Sequence, residues 1–358
     1  MTATTRIDEI ADLGALEQRW RALEARAGET SFFLRWTWIG SWLGALRHAG
    51  IALPKLFVVQ AQDGSEIALA LLGEARVRRR LGAVPALWLN EVGHSEGDRP
   101  FIEYNGLLCR EGAMPQSVHA FCEAMAALPE WRVFHLSGVA FGSPLIGVPG
   151  VRRRVLRDAS PAYYVDLSAV RAADNDYLSL LSANTRGQIR RSIKDEPGDL
   201  SVDVARDTET AEAWLGEMAR LNAGHHENEA WDSEFFRDFA RRILLAGMED
   251  GTVEMLRVLS GGGTLGYLLN FVWAGRAMNY QSAFTAPRTA KSKPGLMCHA
   301  VAVSHYAWRG LARYSLLAGK DRYKQSLSTG GEMLEWWTLE RFDWRLEAEA
   351  ILRRILRR

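Results

Sequence analysis

The chain has 358 residues, with 44 Lys and Arg against 43 Asp and Glu, for a formal net charge of +1. That balance excludes a strongly polyanion-binding protein, so no DNA partner is expected and any nucleic-acid role needs a local patch. Apolar residues make up 47% and charged ones 24%, a globular balance, and the length suggests two domains of ordinary size. Cys109, Cys122 and Cys298 are scattered, odd in number and without C-x-x-C spacing. They argue against a disulfide framework and against a zinc site, and they fit a reducing compartment. Met1 to Asp8 has no apolar core for a signal peptide, and no apolar run is long enough to cross a bilayer. A cytoplasmic protein without an integral membrane segment is expected.

In chain order, Asp12 to Ala27 places Leu13, Leu16, Trp20 and Leu23 at helical spacing, and Thr37 to Leu46 reads as a second helix. Pro54 to Ala61 and Glu66 to Glu74 flank Asp63-Gly64, a hairpin signal. Ala86 to Val92 and Pro100 to Leu108 read as strands, Met114 to Leu128 as a helix and Arg132 to Leu136 as a strand. Val151 to Val165 reads as two short strands.

The order of elements then begins again. Asn175 to Ser182 and Asn184 to Lys194 read as helices, the second stopped by Pro197-Gly198-Asp199. A strand (200–205), two helices (208–223 and 235–245) and three strands (252–260, 264–273 and 276–284) follow. A loop (285–295), a helix (296–308), a strand (312–317) and a polar loop (318–324) come next. Glu332 to Arg341 is a last strand and Trp344 to Arg358 a basic terminal helix. This predicts an α/β (α+β) protein of two similar domains, 1–160 and 161–343, with 344–358 as a tail helix. Each domain is a mixed, mostly antiparallel sheet flanked by helices.

Gly261, Gly263 and Gly266 satisfy G-x-G-x-x-G, but a strand and not a helix follows, so they read as a hairpin. The stronger signal is Pro294-Gly295, where a helix opens beside Lys291 and Lys293. First-turn amides without partners and the helix dipole make such a place an anion site. The plain alternative is an ordinary turn with solvated lysines.

Three motifs, taken together, resemble a known family. The first is Leu181-Ser182-Ala183-Asn184-Thr185-Arg186 running on to Arg190-Arg191. The second is Tyr280 to Phe284 (YQSAF), followed by Ser292, Pro294, Gly295 and Leu296. The third is Gly319, Asp321, Tyr323 and Lys324. They resemble the CelD-like branch of polysaccharide biosynthesis within the GNAT superfamily, which is related to Fem-type peptidyltransferases with two GNAT-like domains. The resemblance implies tandem GNAT-like domains and an N-acyltransferase that uses acetyl-coenzyme A or another acyl-CoA as co-substrate, without a metal.

It also implies a donor site formed by Gln281, Ser282 and Ala283 on the central strand and by Lys291, Lys293, Gly295 and Leu296 at the helix start. Tyr323 is the implied acid and Asp321 the implied base, with His226 a weaker base beside His225. A small-molecule or glycan-precursor amine, on a sugar or amino-acid derivative, is the implied acceptor. Trp231, Tyr280 and Tyr323 line its expected place, a cleft between domains, with Lys324 alongside. Arg186 and Arg190 share a helix face and suit donor phosphates, tRNA or an acidic sugar, although a solvated face explains them equally. The loop departs from the superfamily pattern: only Gly295 is a glycine, and Pro294 lacks an amide. A Fem-like donor, aminoacyl-tRNA, and a non-catalytic subunit of polysaccharide assembly are the alternatives.

Overall fold

The computed structural model describes residues 3–223 and 230–356. Long-range contacts divide the chain into two units, Met1–Ala159 with Leu334–Arg358, and Ser160–Met333.

In the first unit the chain runs β1 (Thr4–Asp8), α1 (Leu13–Glu24), α2 (Trp36–His48), β2 (Lys55–Gln60), β3 (Glu66–Arg79) and β4 (Gly82–Leu89). β5 (Leu108–Cys109), α3 (Met114–Ala127) and β6 (Val133–Ala140) complete it before β7 (Arg153–Asp166) leads into the second unit. Gly64, at φ +81°, makes the turn between β2 and β3, a conformation that costs glycine little. The strands lie in the order β1-β2-β3-β4-β6, and β4 and β6 are its parallel pair. The α3 crossover between them carries Phe121 onto Phe57, ring centroids 4.9 Å apart, and both rings are buried. Replacing a buried Phe of this kind by Ala costs about 3–5 kcal/mol.

The second unit opens with α4 (Leu167–Ala172), α5 (Ala183–Lys194), β8 (Leu200–Val204), α6 (Thr208–Asn222) and α7 (Glu234–Glu249). β9 (Val253–Ser260), β10 (Gly263–Trp273), β11 (Arg276–Phe284), α8 (Pro294–Trp308), β12 (Arg313–Ala318) and α9 (Arg322–Leu327) follow. Its strands lie in the order β7-β12-β11-β10-β9-β8, with β11 and β12 the parallel pair. α8 buries Met297, Cys298, His299, Ala302, Val303 and Tyr306 around most of its circumference, as a helix enclosed by other elements must. Both units therefore have the expected architecture, a mixed and mostly antiparallel sheet with helices, and both put one helix between two parallel strands.

The structure corrects several boundaries. β13 (Gly330–Glu340) pairs from Leu334 onward with β6, and α10 (Trp344–Leu356) sets Leu346 on Val84, Ala86 and Val133. Residues 334–358 thus complete the first unit, where the sequence placed 334–343 in the second and 344–358 alone. Leu334 and Leu339 of β13 are fully buried in that pairing. The expected strand over 100–108 is reduced to β5, since the chain before it follows no ladder. The two short strands expected over Val151 to Val165 are one long strand, Arg153–Asp166, residues 4–8 form an unforeseen strand, and 177–180 form only a 3-10 turn.

In the first unit the gap beyond the parallel pair is filled by the chain itself. β4 and β6 share only Ala86/Val133, Leu87/Phe134 and Trp88/His135. Past this point Asn105 donates its backbone N–H to Gly138 O (3.0 Å) and its Nδ2 to Leu89 O (2.9 Å). Its Oδ1 accepts from Asn90 Nδ2 at 2.8 Å. Asn90, Phe101 and Tyr104 in the same segment hold positive φ, strain of about 1–2 kcal/mol each that the surrounding bonds must offset.

Beside this plug, burial and the neighbouring Asp98 push the Glu91 carboxyl up to about 8. Asp98 is in turn fixed by the Val92 and His94 amides at 2.8 and 3.1 Å. Glu91 therefore keeps its proton when folded and loses it when unfolded between about pH 4.5 and about 8, so folding stability falls as pH rises across that window. Glu91→Gln should gain on wild type by up to about 1.4 kcal/mol per pH unit there, and no further above it. Urea unfolding at pH 5, 6.5, 8 and 9 measures the difference.

Candidate active site

The site is built on the parting of β11 and β12. These strands pair only at Arg276/Arg313, Ala277/Tyr314 and Met278/Ser315. Each then bends away through one extra residue. In β11 it is Tyr280, which falls between the pairs Asn279/Asn270 and Gln281/Leu269. In β12 the pairs with β7 jump from Ser315/Tyr164 to Ala318/Ala162, and Leu317 sits at φ +58°. The Leu317 amide donates to Ser315 Oγ at 3.1 Å, which stabilises the kink. A bulge re-aims the strand that carries it, so two bulges at one level open a wedge between parallel neighbours.

The β11 wall of the wedge is fixed from behind. Buried Asn279 donates to Asn270 Oδ1 at 3.0 Å, and Ser282 Oγ donates to Asn279 Oδ1 at 2.7 Å. The Ser282 carbonyl accepts from Asn222 Nδ2 at 3.1 Å. Trp231 Nε1 donates to Gln281 Oε1 at 3.0 Å, and its ring is 3% exposed. Tyr280 stacks on Phe271 at 4.7 Å and packs beside Phe236 and Phe239. Trp231 and Tyr280 are therefore packed supports of this strand, and the expectation that they form an open acceptor wall is corrected. Ala283 is buried opposite Tyr267.

β11 runs into the loop that starts α8. The Lys293 amide is already committed to Ser192 Oγ of α5 at 3.1 Å, and Met297 returns to Lys293 O. Pro294 has no N–H. The Gly295 and Leu296 amides have no acceptor among the described residues, and Lys293 gives no side-chain cap. Ser292 is 2% exposed, and its Oγ lies buried without a partner. Lys291 and Lys293 are exposed. A Cβ at Gly295 would lie 2.9 Å from the Phe284 ring, so only glycine lets this turn approach the end of β11. Two dangling amides, an unspent buried hydroxyl and two lysines come together here, a cradle whose polarity suits an anion.

β12 delivers α9. Asp321 is its N-cap residue but makes no capping bond with its side chain, so the carboxylate is not spent on the helix. Tyr323 is 42% exposed, and burial together with Asp321 raises its phenol to about 12. Even with that exposure screening part of the effect, the phenol remains protonated at neutral pH. Lys324 donates Nζ to Ala318 O at 2.6 Å and so closes the loop on itself. Beneath Tyr323, its ring stacked at 6.0 Å, lies His299, which sequence reading missed. Its Nδ1 is 2.9 Å from Tyr314 Oη, and Nε2 is buried without a partner. Burial and Lys324 hold this imidazole down near 3, hence neutral. A histidine in the apolar first half of α8 was the available signal.

Of the remaining expected residues, Arg186 donates to Ser179 O at 3.3 Å, and Arg190 stands exposed on the helix that carries Ser192. His225 and His226 lie outside the described residues. Among the described residues, no group of three His, Cys, Asp or Glu is placed to hold a metal, and no helix is long and apolar enough to cross a membrane.

Residues 183–325, which contain the wedge, the cradle and Tyr323, match the family model described as an acetyltransferase (GNAT) domain. None of the curated proteins matches the chain. Among solved structures it is similar to the C-terminal domain of an Agrobacterium fabrum protein described as a lysylphosphatidylglycerol synthetase (TM-score 0.57, 14% identity, 95% of each chain). It is also similar to L-PGS from Bacillus licheniformis (TM-score 0.55, 13% identity, 99% of each chain). FemX matches 90% of this chain over 96% of its own (TM-score 0.55, 10% identity). At such identities the likeness is one of fold. The class is thus an acyltransferase, and the chain carries a GNAT domain on a fold shared with a Fem-type protein.

His299 gives this unit a measurable signature. The unfolded imidazole binds a proton near pH 6.5 and the folded one only near 3, so stability falls as pH drops through that interval. In His299→Gln that component, up to about 1.4 kcal/mol per pH unit, should vanish. Denaturant midpoints at pH 7, 5.5 and 4.5 compare the two gradients.

Proposed function

We propose that the protein is an N-acyltransferase that moves an acyl group, with acetyl as the first choice, from a coenzyme A thioester to an amine on a sugar or amino-acid derivative. The observation that carries this reading is the wedge opening toward the start of α8, where the Gly295 and Leu296 amides and the Ser292 hydroxyl lack partners. In this reading the cradle with Lys291 and Lys293 holds the donor's diphosphate, and the pantetheine arm lies between β11 and β12. A backbone N–H of Gln281, Ser282 or Ala283 on the freed edge polarises the thioester carbonyl. Alternate residues of a strand turn their amides to opposite sides, so some of these three must face the wedge.

Asp321, directly or through a water, takes the proton of the attacking ammonium. The amine nitrogen bonds to the acyl carbon and sheds its second proton to water, and the carbon–sulfur bond breaks as the tetrahedral intermediate collapses. Tyr323, protonated at neutral pH, gives its proton to the leaving thiolate. The neutral state of Tyr323 is what this step requires of it.

A second reading has one specific support. The cradle supplies only two amides, because proline and the Ser192 bond remove the neighbouring ones, and exposed Arg190 and Arg191 stand on α5. A donor carried on tRNA, gripped through its phosphates, suits that distribution, and FemX shares the fold. Titration calorimetry with acetyl-CoA and with aminoacyl-tRNA separates the two. Acetyl-CoA binding that Lys291→Ala/Lys293→Ala weakens about three- to tenfold supports the first reading. Binding of the tRNA ester alone supports the second. Under the first, Tyr323→Phe should lower kcat by about a hundredfold with little change in donor affinity; unchanged kcat removes Tyr323 as the acid.

A further inference from the structure

The first unit holds a cavity of about 370 Å³ that no part of the transfer chemistry uses. It exists because α3 is shorter than the sheet it covers. The helix ends at Ala127, and the chain turns back through Leu128 and Trp131 into β6. β3 runs on past it, so one strip of the sheet has no helix above it. Leu72, Glu74 and Leu87 belong to that strip, with Leu72 opposite Lys55 on β2 and Glu74 opposite Leu87 on β4. Leu72, Leu87 and Trp131 make an apolar floor whose residues are each less than 8% exposed. The volume lies within the range of small-molecule sites.

The rim is charged and unbalanced. Glu9, Glu74 and Glu130 line it, with Lys55 as the one cation among its lining residues. Lys55 is divided between Glu74 at 3.0 Å and Glu9 at 3.5 Å. Glu130 is exposed and makes no hydrogen bond or close ion pair among the described residues, although it lies in the field of Arg341. Arg341, over the Trp131 ring at 4.0 Å, does not line the cavity. It spends its N–H groups on the Met125 (2.7 Å), Ala126 (2.5 Å) and Leu128 carbonyls. The Trp131 N–H is likewise spent, on Met125 O at 2.9 Å. The floor therefore offers contact without hydrogen bonds, and the rim offers carboxylates in excess of cations.

We propose that this cavity binds a small apolar molecule bearing one positive charge, such as an aryl-alkyl ammonium. The apolar body rests on Leu72, Leu87 and Trp131, and the ammonium meets Glu74 and Glu130. A neutral isostere gains the floor but not the rim, and an anionic one is repelled by it. The site shares no residue with the wedge, the cradle or α9, so it stands whether or not the proposed donor and acceptor are right.

The test uses the full chain and three probes of one shape: phenethylamine, 2-phenylethanol and phenylacetate. Binding is followed by saturation-transfer NMR and titration calorimetry at low and high salt. Phenethylamine should bind most tightly and phenylacetate least. Glu74→Gln/Glu130→Gln, at two exposed positions, should weaken phenethylamine about three- to tenfold and leave 2-phenylethanol unchanged, with the same thermal midpoint. Leu87→Phe, which adds bulk on the floor itself, should weaken both phenethylamine and the alcohol. Equal binding of all three probes, phenethylamine binding indifferent to both variants, or no binding of any probe at millimolar concentration would each overturn the proposal.

Discussion

The parting of two parallel strands is the constraint on which the second unit depends. Parallel neighbours ordinarily keep their ladder for the length of the shorter strand, and β12 is long enough to do so. It leaves β11 after three pairs because each strand carries one residue too many against its other neighbour. The cost is concentrated at Leu317, a buried leucine in the left-handed region, which disfavours it by about 1–2 kcal/mol. The Ser315 hydroxyl and the packing of Leu317 side chain against the core hold it there. Strain kept in this way is informative, since nothing in the sheet's own bonding asks for it.

The first unit makes the same argument by contrast. β4 and β6 also pair at three positions, and β6 also carries one extra residue, with Gly138 at φ +63°. β4 has no bulge against β3, and Asn105 bonds to the ends of both strands. In the first unit the chain itself thus fills the place beyond the parallel pair, and Leu89 O and Gly138 O both accept from Asn105. Buried polar groups without partners are costly, so the unpaired Ser292 hydroxyl beside the free Gly295 and Leu296 amides marks the start of α8 as a place kept for something other than the chain's own bonding. The anion cradle belongs to one unit alone among the described residues.

Much of this was legible in the sequence, and the limits were physical ones. Strands with strong alternation and turns with Asp-Gly or Gly-Gly declared themselves, as did the α8 start, because proline and glycine act locally. The return of β13 and α10 to the first unit was not legible: an apolar strand can pair with any apolar edge, and the choice of β6 is made by contacts nearly 200 residues away in sequence. Segment 90–105 falls across two expected strands, 86–92 and 100–108, because its real partners, Leu89 O and Gly138 O, are carbonyls that leave no trace in side-chain periodicity. Trp231 and Tyr280 have the look of cleft residues, being large and amphipathic, yet the Gln281 side chain and the Phe271 ring claim them first.

The same reasoning orders the residues at the wedge. Asp321 and Tyr323 share a six-residue helix whose N-cap carboxylate is left free and whose phenol stays neutral, so one short element presents an acceptor and a donor of protons together. Lys324, next in the chain, is tied to Ala318 O and anchors that element to the end of β12. The anchor matters because β12 has just been bent away from β11. His299, rigid and neutral beneath Tyr323 and linked to Tyr314 on β12, supports the phenol from the α8 side. Helix, strand and loop thus hold one tyrosine from two sides, and the cradle at Gly295 starts one turn above that same histidine.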